Sequence, residues 1–195
     1  VGHLISARID AATLREYYAK LYTLQSDAHG PDYMLVHDEI GKRLRGCDSY
    51  TEFGINQGAT LAVAMLEDVA TVRAYDIKLG WYTQAANLFE KCAAKHLIDY
   101  EAIEIDTLDC VIDPVDVLYI DTLHRYDHLT KELAIHGDKA NRFIIFHDTF
   151  AQPELKRAVR QYVEAHDEWS IVTECDVSVG FMTIERTRES LRHND

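Results

Sequence analysis

The chain has 195 residues, 47% of them apolar and 27% charged, and a formal net charge of −13. That length supports one hydrophobic core, and the ordinary composition excludes a fibrous or disordered protein. Acidic side chains are spread along the whole sequence, which disfavours phosphate backbones or anionic lipid as partners.

Residues 8–25 place Ile9, Leu14, Tyr17, Tyr18, Leu21 and Leu24 at helical spacing, with Asp10 as a candidate cap. A Gly-Pro break follows, and "MLVHDEIGKRLRGC" resumes the helical pattern up to Gly46, so residues 1–46 read as a helical prefix. The aromatic-rich "EYYAKLYTL" within it is a candidate lid or an interface of a homo-oligomer. From residue 47 strand and helix patterns alternate: "SYTEFG", "ATLAVAMLED", "TVRAYDI", "WYTQAANLFEKCAAKH", "DYEAIEID", "DVLYID", "RYDHLTKELAIHG", "RFIIFHD" and "PELKRAVRQYVEAH". Such alternation predicts a parallel sheet with helices on both faces. The last two strands, "EWSIVTECDV" and "GFMTIER", are separated only by Ser178 and Val179, too few for a crossover, so they must pair antiparallel at one edge. The expected layout is a single domain over 1–195, with the core at 47–187 and a polar tail at 188–195.

No apolar run approaches the roughly 20 residues of a membrane helix and no basic-then-apolar leader opens the chain, so a soluble, cytoplasmic protein is expected. The chain starts at Val1 without methionine, as after trimming or processing. Cys47, Cys92, Cys110 and Cys175 form no CxxC pair and read as reduced, mostly buried thiols.

In an open parallel sheet, ligands bind beyond the carboxyl ends of the strands. The first such end is "EFGINQGAT", where Gly54 and Gly58 permit positive φ and leave the backbone open to close approach. Its GxxxG spacing is not the GxGxxG of a dinucleotide cradle, and Glu52 would repel phosphate but favour a cation or a hydroxyl. Asp76 ends the next strand about twenty residues on, where a carboxylate can accept both hydroxyls of a ribose, and Asp106 ends the third.

This ordered set resembles the class I S-adenosylmethionine-dependent methyltransferases, over roughly residues 45 to 187. "EFGINQGAT" looks like their first motif, "AYDI" like the ribose-binding acid and "EIDT" like the adenine-side acid. "DVLYIDTLHRYDHLTKEL" followed by "FIIFHDT" is similar to the methyltransferase-like subgroup related to cephalosporin hydroxylase and macrocin O-methyltransferase. The resemblance implies an α/β, Rossmann-like sheet of seven mostly parallel strands in the order 3-2-1-4-5-7-6, the last antiparallel. It implies S-adenosyl-L-methionine as cofactor, with Glu52, Gly54, Asn56, Gln57, Gly58 and Thr60 around the methionine side, Asp76 and Ile77 at the ribose, Asp106 and Thr107 at the adenine, and Asp121 near the reacting centre. The chain departs from the pattern at "GDKANRFIIFHD", where relatives carry a Pro-Gly-Gly turn, and in the short stretch from Asp106 to Asp116, which leaves no room for a full helix.

Asp121, His124, His147 and Asp148 fall at the ends of the fourth and fifth strands, where the methyl acceptor would sit. Methyl transfer is an in-line displacement that needs the acceptor aligned and its proton removed. Two routes stay open: Asp121 and Asp148 hold a divalent ion such as Mg2+ that lowers the pKa of an acceptor hydroxyl, or His124 or His147 is the general base. Plainer roles are also open, with His124 or the Asp148–Thr149 pair capping helices, Tyr119 in the core, and Trp81 and Tyr82 as either an adenine cover or an apolar staple. The expected activity is O-methylation of a small-molecule or sugar-like hydroxyl, with a cofactor-binding scaffold and a nicotinamide-dependent oxidoreductase as alternatives.

Overall fold

The computed structural model describes residues 8–67 and 69–187, so the expected polar tail at 188–195 and the first seven residues of the prefix lie outside the described residues. The prefix holds α1 (Leu14–His29), a 3-10 turn (Pro31–Met34) and α2 (Leu35–Leu44). The alternating part follows as β1 (Ser49–Phe53), α3 (Ala59–Leu66), β2 (Thr71–Asp76), α4 (Ala86–His96), β3 (Asp99–Glu104), β4 (Val115–Ile120), α5 (Tyr126–His136), β5 (Ala140–His147), α6 (Pro153–Ala165), β6 (Trp169–Cys175) and β7 (Phe181–Arg186). The seven strands form one sheet in the order β3-β2-β1-β4-β5-β7-β6. Neighbours from β3 through β5 pair parallel, while β7 runs antiparallel to both β5 and β6. The edge hairpin inferred from the two-residue link is therefore present.

Alternation along each strand assigns side chains to faces. Tyr50, Val117, Tyr119, Phe143 and Ile145 pack with α1 to α4 in one buried cluster. Phe53, Leu118, Ile120, Ile144 and Phe146 pack with α5 and α6 in the other. By the same period Glu52, Asp121 and His147 belong to the face that carries the prefix. Between β3 and β4 there is only a 3-10 turn, Thr107–Asp109, as the short spacing required, and no residue of β3 is fully buried.

The prefix is fused to the core by side chains as well as by chain connectivity. Leu14, Tyr17 and Leu21 of α1 share the buried cluster of Tyr50, Leu61 and Phe89. Glu39 of α2, 6% exposed, accepts the hydroxyls of Thr173 and Thr183 at 2.9 Å each, and the Arg43 guanidinium at 2.7 Å. That carboxylate pins α2 to the β6–β7 hairpin. The cap of α1 is Thr13 and not Asp10: its hydroxyl accepts the Glu16 N–H at 3.2 Å while the Glu16 carboxylate accepts the Ala12 N–H at 2.9 Å. The pair satisfies one orphan donor of the first turn and ties down the residue before the cap, which a single aspartate upstream does not. Among the described residues, no helix is long and apolar enough to cross a membrane.

Candidate functional site

Two cavities open at the carboxyl ends of the strands and meet at Gly54 and Asp121, which line both. The larger is about 440 Å³ and is bounded by the ends of β2, β3 and β4 and the start of α5. It is lined by Asp76, Ile77, Asp106 and Thr107, and also by Tyr75, Thr122, Leu123 and His128. The smaller, about 40 Å³, lies under the prefix, between Gln25, Tyr33 and His37 on one side and Thr60, Tyr119, Asp121 and His147 on the other. Asn56 and Gln57 line this smaller space.

The glycines of the first turn serve the protein's own packing. Gly54 has φ +86°, and a Cβ there would stand 2.0 Å from the Asp121 carbonyl oxygen. Gly58 has φ +77°, and its Cβ would meet the Phe89 ring at 2.8 Å. Glu52, expected inside the turn, is fully buried behind it and lines neither cavity. Its oxygens accept the Tyr50 hydroxyl at 2.6 Å and the Thr60 hydroxyl at 3.0 Å, tying β1 to the start of α3.

Burial pushes the Glu52 carboxyl up from 4.5 to about 8, with the Asp121 and Asp76 charges adding to the rise and the two hydroxyl donors opposing it. The folded state then holds a proton that the unfolded chain releases near 4.5, so stability is full below that value and is lost as pH rises toward about 8. Glu52→Gln should flatten thermal stability across roughly pH 5 to 8, removing a slope of at most about 1.4 kcal/mol per pH unit. A variant that keeps the wild-type slope in melting curves would place the titration elsewhere.

Asp76 is partly spent before any ligand arrives. Its Oδ2 accepts the Ile55 and Asn56 amides at 2.7 and 3.1 Å, and its Oδ1 accepts the Lys78 amide at 3.0 Å. A carboxylate has about four acceptor positions, so one is left, on the oxygen that carries a single bond. Asp106 caps its 3-10 turn through the Leu108 amide at 2.9 Å and still borders the cavity. Ile77 and Leu123, 64% and 54% exposed, present bare apolar surface to that space, a suitable pair of walls for a flat base. Of the aromatic pair, Tyr82 is core: it is 4% exposed, belongs to the α1–α4 cluster and shares a hydrogen bond with the Tyr100 hydroxyl.

A buried carboxylate that the sequence reading missed organises the far wall. Glu132 of α5, 0% exposed, accepts the Thr107 hydroxyl at 2.6 Å and the Thr122 hydroxyl at 2.9 Å, with His128 Nε2 3.3 Å away. Three cavity-lining side chains thus hang on one acid. The only sequence signal was Glu132 four residues after His128, on a helix where i,i+4 neighbours face each other.

Asp121, His124, His147 and Asp148 converge as the sequence predicted. His124 Nε2 stands between the carboxylates, 3.1 Å from Asp121 Oδ1 and 2.9 Å from Asp148 Oδ2. His147 Nδ1 is 3.2 Å from Asp121 Oδ2. His124 is not a helix cap, since α5 starts after Arg125 with no side-chain cap, and neither Asp148 nor Thr149 caps α6, whose N-cap is Gln152. Asp148 sits at φ +58°, a left-handed turn that aspartate tolerates better than most residues.

Hydrogen bonds donated to Asp121 and Asp148 lift His124 to about 10, burial notwithstanding. Burial alone would raise Asp121, but the charge of His147 and the bond to His124 hold it well below the usual carboxylate range. Burial would likewise lower His147, yet Asp121 holds its pKa above the ordinary value. Across the small cavity, burial and the His147 charge push His37 down to about 3, and its Nδ1 is 3.1 Å from the Tyr18 hydroxyl. Burial and the two aspartates push the Tyr33 phenol up. Tyr119 is buried in the core cluster, as expected, and also borders this space, its hydroxyl 3.5 Å from Asp121 Oδ2. No sequence pattern links Gln25, Tyr33 and His37 to this site; they arrive because α1 and α2 fold over it.

No protein-family model and no curated protein matches the chain. Solved structures do. An O-methyltransferase from Bacillus cereus, in complex with SAH, aligns over 93% of this chain and 94% of its own, with TM-score 0.59 and 13% identity. A ribosomal protein L11 methylase from Lactobacillus delbrueckii subsp. bulgaricus aligns over 81% and 80%, with TM-score 0.55 and 16% identity. Together with the strand order and the antiparallel β7, these likenesses establish the fold: it is that of the class I S-adenosylmethionine-dependent methyltransferases.

Proposed function

We propose that the chain binds S-adenosyl-L-methionine and transfers its methyl group to an oxygen of a small-molecule or sugar-like acceptor. The observation that carries the reading is the charge of the larger cavity, which is lined by Asp76, Asp106 and Asp121 and, among the described residues, by no lysine or arginine. Such a wall attracts a sulfonium nucleoside with its ammonium group and repels the pyrophosphate of a nicotinamide dinucleotide. Its volume is within the usual range for a small-molecule site. The residues fit the cofactor: Asp76 keeps an acceptor position for a ribose hydroxyl, Ile77 and Leu123 flank a base, and the reactive end would lie at Gly54 and Asp121, where the cavities join.

The acceptor's hydroxyl would then enter the small, polar space under the prefix, with Asp121 and His147 beside it. Aligning oxygen, methyl carbon and sulfur in one line is the main task, and rigid strand ends suit it. His124, held protonated at neutral pH by its two carboxylates, has no room for the acceptor's proton, which argues against it as direct base. Asp121 and Asp148 would hold a divalent ion only with the His124 proton displaced, since their oxygens and His124 Nε2 lie within 4.8 Å of one another and the imidazole now donates to both. When bound, that ion would lower the pKa of the acceptor hydroxyl. The space of about 40 Å³ admits little more than the reacting tip, which favours a small acceptor over a nucleic acid, as does the net charge of −13.

Titration calorimetry with S-adenosylhomocysteine should give binding heat, and NAD none. Asp76→Ala should weaken that binding by roughly 1 to 3 kcal/mol through the lost charged hydrogen bond. Melting curves run alongside report the separate cost of freeing the Ile55 and Asn56 amides. An unchanged affinity removes Asp76 from the ribose site. Cofactor binding without methyl release onto any of a broad panel of hydroxylated acceptors would favour the scaffold alternative.

A further inference from the structure

A cavity of about 410 Å³ runs between α5 and α6 and shares no lining residue with the two strand-end cavities. We propose that it binds an uncharged small molecule with an apolar body and a carbonyl oxygen, the oxygen directed at buried donors beneath its Tyr162 end. This site stands apart from the methyl-transfer reading and is measurable without cofactor or acceptor.

The walls explain the shape. Leu133 and Ala134 of α5 and Ala158 and Ala165 of α6 give the seam apolar, mostly short side chains, so the two helices leave room between them. One end is walled by the Tyr162 ring, stacked on His166 with 4.1 Å between centroids. At the other, the Tyr126 hydroxyl bridges the helices to Gln161 Oε1, and the Arg157 guanidinium lies 4.3 Å over the Tyr126 ring. The volume is that of an ordinary small-molecule site, and the lining is mainly apolar.

A second observation concerns polar atoms. Tyr162 Oη, Trp169 Nε1 and Arg186 Nε are buried, and no hydrogen bond satisfies any of them. They sit together, with 6.5 Å between the Tyr162 and Trp169 ring centroids and the Arg186 guanidinium 5.0 Å over the Trp169 ring. All three carry a hydrogen to donate. An indole N–H cannot accept, so where it leans on the phenol oxygen the phenol's own proton is still left over. Burial pushes that phenol up to about 12, with Asp138 adding to the rise, so the proton stays on the oxygen at neutral pH. Buried tyrosine and tryptophan normally find partners, and donors gathered at the end of a roomy cavity are explained by an acceptor atom that a ligand brings.

Charge selects the head of that ligand. Asp138 lines the same end, beside Gly137, where a Cβ would stand 2.2 Å from Tyr162 Oη. It already faces Arg186 at 3.6 Å, and Glu168 also bears on Tyr162. These two acids would repel a carboxylate, while an ammonium would pair with Asp138 and leave the donors empty. A carbonyl oxygen avoids both costs.

The full chain has two tryptophans, so a proton–nitrogen correlation spectrum shows two indole signals, which Trp81→Phe assigns. Benzylacetone is titrated in, against butylbenzene, phenylbutyrate and phenylbutylamine, which keep a phenylalkyl body and change the head. The ketone should move the Trp169 signal saturably and bind about fivefold tighter than butylbenzene, with the carboxylate weakest. Tyr162→Phe should bring the ketone to within about twofold of the hydrocarbon, because the ring stays and the donor goes. Ala134→Phe, at an exposed position of α5 that lines the cavity, should fill the space and abolish binding with the melting temperature unchanged. If Tyr162→Phe melts early, the Ala134 variant and the four heads carry the comparison. An unmoved Trp169 signal, equal binding of ketone and hydrocarbon, tighter binding of the carboxylate or the amine, or binding that survives Ala134→Phe would each overturn the proposal.

Discussion

Gly54→Ala should destabilise the chain by about 3 kcal/mol or more, lowering the melting temperature by roughly 6 to 12 °C. Two costs combine at that residue. The backbone has φ +86°, which a side chain rarely adopts, and the new methyl would stand 2.0 Å from the Asp121 carbonyl oxygen and 2.8 Å from its carbon. Both obstacles are main chain, so relief means parting β1 from β4 where the Asp121 amide bonds the Phe53 carbonyl at 2.9 Å. Gly46→Ala is the natural control, since Gly46 has φ +72° and nothing within 4 Å of a Cβ. It should cost only the backbone term, about 1 kcal/mol. Melting curves of the two variants isolate the clash: a Gly54 variant no worse than the Gly46 one would mean that the strand ends move apart freely.

Asp121→Asn should reduce methyl transfer by about 100-fold or more, since it alters the charge at the junction of the two cavities while keeping the side chain's shape. It also removes the carboxylate that contributes most to the high His124 pKa, so that value should fall from about 10 toward the ordinary range, Asp148 alone opposing the fall. NMR titration of the imidazole signals measures that shift without any acceptor. Normal turnover in the Asp121→Asn variant, or a His124 that still titrates near about 10 in it, would remove Asp121 from the centre of the site.

The sheet was legible because its signals are local. Short continuous apolar runs such as "RFIIFH" and "FMTIER" mark buried strands, and a two-residue link at Ser178 and Val179 cannot carry a crossover. Strand ends in a parallel sheet gather on one edge, so Asp76, Asp106, Asp121 and Asp148 could be placed near one another without knowing any side-chain direction. Direction is harder to read. The turn pattern puts Glu52 in the pocket, but strand alternation turns it toward Tyr50 and the interior. Contacts between distant segments were out of reach: nothing local ties Tyr33 or His37 to His147, or Glu132 to Thr107, because those meetings depend on how helices lie across the sheet.

The Tyr17 hydroxyl donates to the Gln57 carbonyl at 2.8 Å, stitching the first helix to the loop that follows β1. If the methyl-transfer reading is right about the site, exchange of these opening segments as a route to new acceptors would disturb the loop after β1 as well. A transplanted segment would have to bring its own anchoring phenol and the apolar side chains that seat beneath it, so selectivity and folding are inherited here as one unit.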